Sequence, residues 1–131
     1  MENYWKTALT HPQLGYYSTE NVFAKDGDFI TSPEISSLFG EMIGVWIVLF
    51  LKNAKVFDEE TCKLNRKIRI VELGGGRGFL IREIIKVFSD LKIKEDYDIN
   101  MIEVSEYNRK AQQDAVMEAF KKNNHFFKFE H

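Results

Sequence analysis

One carboxylate and a run of glycines could do chemistry here. Glu72 and Leu73 are followed by Gly74-Gly75-Gly76-Arg77-Gly78. Glycines let a backbone turn sharply and remove side chains where a ligand must approach. A helix that starts at such a turn offers unpaired N–H groups and a partial positive charge. The spacing limits the ligand. A dinucleotide-binding turn needs G-x-G-x-x-G, and counting from Gly74 gives Gly76 and then Phe79. The third glycine is missing, which disfavours an NAD-type oxidoreductase. The pattern that fits is acid-x-G-x-G-x-G, through Glu72, Gly74, Gly76 and Gly78. The plain alternative is a glycine-rich turn that holds no ligand.

Two further groups of polar residues stand out. Glu103 lies 25 positions after Gly78, about where open α/β folds place an acid to accept ribose hydroxyls; otherwise it is a surface acid at a strand end. Asp28, Thr31, Ser32 and Glu34 precede or open an apolar helix. They are candidates for pocket closure, against the simpler reading of a well-capped core helix. His11 stands before Pro12 and reads as a turn residue rather than a base.

The elements that must position these groups follow from periodicity. Ile68, Ile70, Val71 and Leu73 form a short apolar run, the composition of a strand buried on both faces. After the glycines, Leu80, Ile84 and Val87 make one helical stripe, with Ile81, Ile85 and Phe88 beside it. Residues 97–104 suggest a second strand with Ile99 and Met101 on one side. Ser105 is an N-cap for the next helix, whose expected inner face is Tyr107, Ala111, Ala115, Val116, Ala119 and Phe120. Residues 125–131 read as a third strand. Upstream, a short helix around Tyr4–Leu9 ends before His11. A longer one runs from Pro33 to about Lys52, capped by Ser32. Its expected buried stripe is Ile35, Leu38, Phe39, Met42, Ile43, Trp46, Leu49 and Phe50, and Gly40 and Gly44 allow close approach of another backbone. Residues 53–65 read as a loop.

Composition bounds the rest. The chain of 131 residues suits one domain, and 44% hydrophobic residues can build a core. A net charge of −2 gives no global basic field for nucleic acid. Cys62 is the only cysteine, so an internal disulfide and a cysteine-based zinc site are excluded, and no metal site is expected. No apolar run reaches the roughly 18 residues of a membrane span, and no targeting peptide is visible.

The glycine pattern resembles motif I of class I S-adenosylmethionine-dependent methyltransferases. His11-Pro12-Gln13-Leu14-Gly15-Tyr16-Tyr17, Gly27-Asp28-Phe29-Ile30-Thr31-Ser32-Pro33-Glu34 and Ile102-Glu103-Val104-Ser105 extend the likeness to the MidA family. That family includes the mitochondrial complex I assembly-factor type of protein arginine methyltransferase. The resemblance implies an α/β fold, a partial Rossmann-like sheet of strand order 3-2-1 preceded by N-terminal helices. Residues 1–53 would be a helical cap and 67–131 a cofactor-binding half. It implies S-adenosylmethionine as cofactor, held by Glu72, Gly74, Gly76, Gly78 and Glu103, with Glu72 accepting from the ammonium end. The implied substrate is an arginine of a respiratory complex I subunit, and the implied location mitochondrial in a eukaryote, otherwise cytoplasmic. No catalytic base is assigned.

Two departures matter. The family's usual loop proline is Gly75 here. Family members also continue well past the third strand, so this chain resembles the N-terminal part of such an enzyme. Its first sheet strand would then lack a neighbour on one edge, and exposed edges recruit partners; self-association or a covering helix is expected there. A non-catalytic partner-binding module that keeps the fold is the alternative function.

Overall fold

A computed structural model describes residues 1–16, 30–93 and 97–122. In chain order these form α1 (Glu2–Thr10), α2 (Ser32–Ile35), α3 (Ser37–Asn53), β1 (Phe57–Asp58), β2 (Lys63–Leu64), β3 (Ile68–Leu73), α4 (Phe79–Asp90), β4 (Tyr97–Ile102) and α5 (Glu106–Lys122). The expected third strand at 125–131 lies outside the described residues.

β3 and β4 pair in parallel, in register from Ile68 opposite Tyr97 to Leu73 opposite Ile102. This is the first β-α-β step of the expected sheet. The side chains of Ile68, Ile70, Tyr97, Ile99 and Met101 join the core beneath α4. α4 is amphipathic as its spacing predicts: Ile81, Ile85 and Phe88 are wholly buried, and Ile84 and Val87 nearly so. Fully burying each such side chain stabilises the fold by about 1.5–3 kcal/mol. Phe88 meets the Tyr97 ring edge-on, centroids 5.2 Å apart. The opposite face of the pair differs from expectation. Val71, Leu73 and Ile102 are exposed there, because no described element covers that side.

α3 crosses α4 through a seam of small residues. A Cβ on Gly40 would lie 2.7 Å from the Glu83 Cβ, and one on Gly44 would lie 3.0 Å from the Val87 Cβ. The expected close approach of two backbones is therefore real, and α4 is the partner. The expected stripe on α3 is not the buried one. Gly40, Gly44, Val48 and Leu51 are buried, while Leu38, Phe39, Met42, Trp46, Leu49 and Phe50 are exposed. The single helix expected from Pro33 is also divided. Ser36 has an extended backbone, φ −153° and ψ 132°, and its Oγ accepts from the Leu38 N–H to cap α3. Thr31, not Ser32, caps α2. The Glu34 carboxylate reaches back to the Thr31 N–H at 3.0 Å and its hydroxyl at 3.2 Å, half of a capping-box arrangement.

Residues 53–65, expected as a loop, contain the antiparallel hairpin β1–β2. Val56, Phe57 and Leu64 are buried, which supplies the reason for order. Asp58 Oδ1 closes its turn by accepting from the N–H groups of Glu60 and Thr61. Two polar expectations hold. His11 Nδ1 accepts from the N–H groups of Gln13 and Leu14, so it is a turn residue. Ser105 caps α5, accepting from the Asn108 N–H. On α5, Val116, Ala119 and Phe120 are buried, but Tyr107 is exposed.

Candidate functional site

The β3–β4 ladder runs straight into the glycine loop. The Gly74 N–H donates to the Ile102 carbonyl at 2.8 Å, and the Gly78 N–H closes a turn onto the Gly75 carbonyl at 2.9 Å. Gly74, Gly76 and Gly78 have φ of +65°, +54° and +80°, a region that disfavours side chains. At Gly74 and Gly76 a Cβ would meet nothing within 4 Å. Those two positions therefore open onto free space. Gly78 serves another purpose. A Cβ there would sit 3.2 Å from the Gln112 Cα, so Gly78 lets α5 pack against the loop.

A cavity of 330 Å³ lies over this loop, within the usual size of a small-molecule site. Its floor is Glu72, Leu73 and Gly74–Gly76; Arg77, Phe79 and Leu80 form one wall, and Thr31 and Pro33 the other. Glu72 is its most distinctive group. The Oε2 atom is buried and has no hydrogen-bond partner among the described residues, an arrangement that is costly in isolation. Burial pushes its carboxyl up from 4.5 to about 7. Gly75 makes room for it: a Cβ there would lie 2.8 Å from both the Glu72 Cδ and the Met101 Cε.

Glu103 sits just past β4 and outside the cavity lining. Its Oε1 accepts from the Ser105 N–H at 2.9 Å, and its Oε2 from Gln112 Nε2 at 3.4 Å. The same Nε2 donates to the Gly76 carbonyl at 2.8 Å. Gln112 thus joins the second acid to the back of the glycine loop. Thr31 lines the cavity, Glu34 stands behind it, and Ser32 is exposed on α2. Asp28 lies outside the described residues. Glu34 also faces the loop, with its Oε1 3.9 Å from Arg77 Nη1.

Sequence reasoning missed Gln112, Arg77 and Gly75. Gln112 had a signal, since it falls on the inner face of α5 between Asn108 and Val116, where a polar residue needs a partner. Arg77 is the one charged side chain among five loop positions otherwise filled by glycine. Gly75 acts by what it lacks, which spacing rules do not weigh.

A parallel β-loop-α unit whose side-chain-free turn and buried carboxylate oxygen border one cavity is the arrangement of an α/β domain of Rossmann-like type. The family is given by comparison. Residues 42–130 match the family model described as "Putative S-adenosyl-L-methionine-dependent methyltransferase", and the chain belongs to that family. It is 42% identical over 111 residues to the mitochondrial protein arginine methyltransferase NDUFAF7 homolog of Drosophila melanogaster, covering 83% of this chain and 23% of that protein. It is 40% identical over 106 residues to mitochondrial protein arginine methyltransferase NDUFAF7 of Homo sapiens, covering 79% and 22%. The chain thus spans less than a quarter of the length of these relatives. A crystal structure of a COG1565 superfamily member from Burkholderia thailandensis, bound to S-adenosyl-homocysteine, shares the fold with a TM-score of 0.68. Identity there is 21%, over 92% of this chain and 30% of that one.

The described residues fit that family's cofactor. Glu72 Oε2 lacks a donor, and the ammonium of an amino-acid end would supply one. Gly74 and Gly76 leave the space that its bulk requires.

Proposed function

We propose that this chain forms the cofactor-binding part of an S-adenosylmethionine-dependent protein arginine methyltransferase. The observation that carries the reading is the Glu72 oxygen, without a partner among the described residues, at a side-chain-free loop and a 330 Å³ cavity. When bound, the cofactor supplies an electrophilic methyl group. The work of this chain is positioning and exclusion of water. Glu72 takes the ammonium, and Gly74 and Gly76 admit the ligand against the backbone, with Gly78 setting the loop on α5. Glu103 would serve the ribose by turning one oxygen away from Gln112, its weaker partner at 3.4 Å. Thr31, with Ser32 and Glu34 beside it, closes the pocket from the N-terminal side. In this reading residues 1–53 are the cap and 67–131 the cofactor-binding half, with a sheet of order 3-2-1.

The names of the relatives support an arginine substrate and a mitochondrial location. Family resemblance adds a complex I subunit, modified during assembly. The face and edge of β3 that no described element covers support self-association, which sedimentation at several protein concentrations tests: a concentration-independent monomer contradicts it. A second reading, a binding module without turnover, is favoured by the exposed apolar face of α3. Titration with S-adenosylmethionine followed by a radiolabelled methylation assay on arginine peptides separates the two. Binding supports the pocket and methyl transfer establishes the enzyme, while binding without transfer supports the module only in a chain of the relatives' full length.

A further inference from the structure

We propose that Gly75 is a positioning residue for Glu72: the space its missing side chain leaves is a recess that stows the carboxyl, and the acid swings out of it to meet the cationic end of the ligand. The inference deepens the methyl-donor reading and takes its ligand from it. The recess is measured by what would fill it. A Cβ on Gly75 would lie 2.8 Å from the Glu72 Cδ, 3.0 Å from its Oε2 and 2.8 Å from the Met101 Cε. The carboxyl therefore rests between bare backbone and a thioether methyl. It finds no donor there: Oε2 has no hydrogen-bond partner among the described residues.

Gly75 differs from its neighbours in the loop. Gly74, Gly76 and Gly78 have positive φ, and Gly75 is not among them, so its backbone would accept a side chain. The obstacle is steric and mobile, because the two atoms that a methyl would meet most closely are far ends of flexible side chains. Of the two, the carboxyl has somewhere to go. Glu72 lines the cavity, onto which Gly74 and Gly76 leave free space. A carboxyl in the recess is poorly hydrated and keeps its proton to higher pH; in the cavity it regains water and ionises. Arg77, beside Glu34, is the other charged side chain of the cavity lining. On the α2 and α4 sides Thr31, Pro33, Phe79 and Leu80 carry no charge, nor does Met101 from β4.

Calorimetric titration of the full chain with S-adenosylhomocysteine at pH 6 and pH 8 tests this in the wild type and in Gly75→Ala. The wild type should lose about tenfold in affinity between pH 8 and pH 6, because a group that titrates at about 7 is roughly nine-tenths neutral at the lower value. Gly75→Ala should hold its affinity across that range. It should bind about tenfold more tightly than the wild type at pH 6 and within about twofold of it at pH 8. Placed in Glu72→Gln, the same alanine should change affinity by less than about twofold at either pH, since it acts through the acid. A pH dependence that Gly75→Ala leaves intact overturns the proposal while the methyl-donor reading stands. Equal loss of affinity at both pH values also overturns it, since Gly75 would then only admit the ligand. NMR titration of isotope-labelled glutamate in the ligand-free wild type needs neither ligand nor variant. A Glu72 midpoint of about 7 is expected, and one at the ordinary 4.5 overturns the proposal. A midpoint that falls by a pH unit or more in Gly75→Ala supports the recess even if S-adenosylhomocysteine does not bind, in which case it is the methyl-donor reading that fails.

Discussion

α3 and α4 lie side by side and are both rich in apolar residues, yet their exposure is opposite. The stripe that spacing predicts on α4 is the stripe that is buried, with Ile81, Ile85 and Phe88 fully enclosed. On α3 the predicted stripe faces outward, and a narrower seam of Gly40, Gly44, Val48 and Leu51 makes the contact. The difference lies in how many apolar faces each helix carries. α4 has one, with Arg82 and Lys86 off it, so its orientation is determined. α3 is apolar nearly all round, the pattern of a helix meant to be enclosed, and the glycines decide which face meets α4. Periodicity reports what a helix would bury; it does not say whether a partner is at hand.

The largest effect should come from the core side of this comparison. Phe88→Ala should cost about 3–5 kcal/mol in urea unfolding, while Phe50→Ser on the outer face of α3 should change stability by less than about 0.5 kcal/mol. A loss above 2 kcal/mol for Phe50→Ser would mean that something covers that face in solution, and the contrast between the helices would disappear. The seam itself comes next. Gly40→Ala places a methyl 2.7 Å from the Glu83 Cβ, close to rigid backbone, and should destabilise by about 1–3 kcal/mol. A neutral or stabilising result in the same melts would show that α3 is free to move off α4.

Glu72 gives a smaller effect with a definite sign. The folded protein holds its proton up to about pH 7, whereas the ordinary value is 4.5. The group therefore withdraws stability as pH rises between those values. Glu72→Gln should raise the stability read from urea unfolding at pH 8 by about 1–2 kcal/mol, once partial solvent access is allowed for, and change little at pH 4.5. Equal effects at both pH values would contradict the buried, partnerless carboxylate.

Much of the β3–α4–β4 unit was legible because its features are local. Strand, glycine turn and amphipathic helix follow from residues 68–90 alone, and so does the Ser105 cap. The site was legible only in part. Glu72, Gly74 and Gly76 line one cavity. Gly78 proves to be a packing position, and Glu103 turns its carboxylate to Ser105 and Gln112. Those outcomes depend on where α5 lies, a contact that spans 36 residues between Gly76 and Gln112. The hairpin at 57–64 escaped notice for a similar reason. Its strands are two residues each, too short for any period, and the buried Val56, Phe57 and Leu64 order it. The capping of α2 by Thr31 turned on a carboxylate three residues away, a pairing that a Ser-Pro pair had obscured.

Titration with S-adenosylhomocysteine across pH tests most directly whether the glycine loop and its buried acid form a methyl-donor site. Saturable binding is expected, with a dissociation constant on the order of 1–100 µM. Affinity should weaken about fivefold between pH 7 and pH 6 as Glu72 takes up its proton, and Glu72→Gln should bind more weakly and lose that dependence. Absence of binding at any pH, or a pH profile that Glu72→Gln leaves intact, would contradict the account.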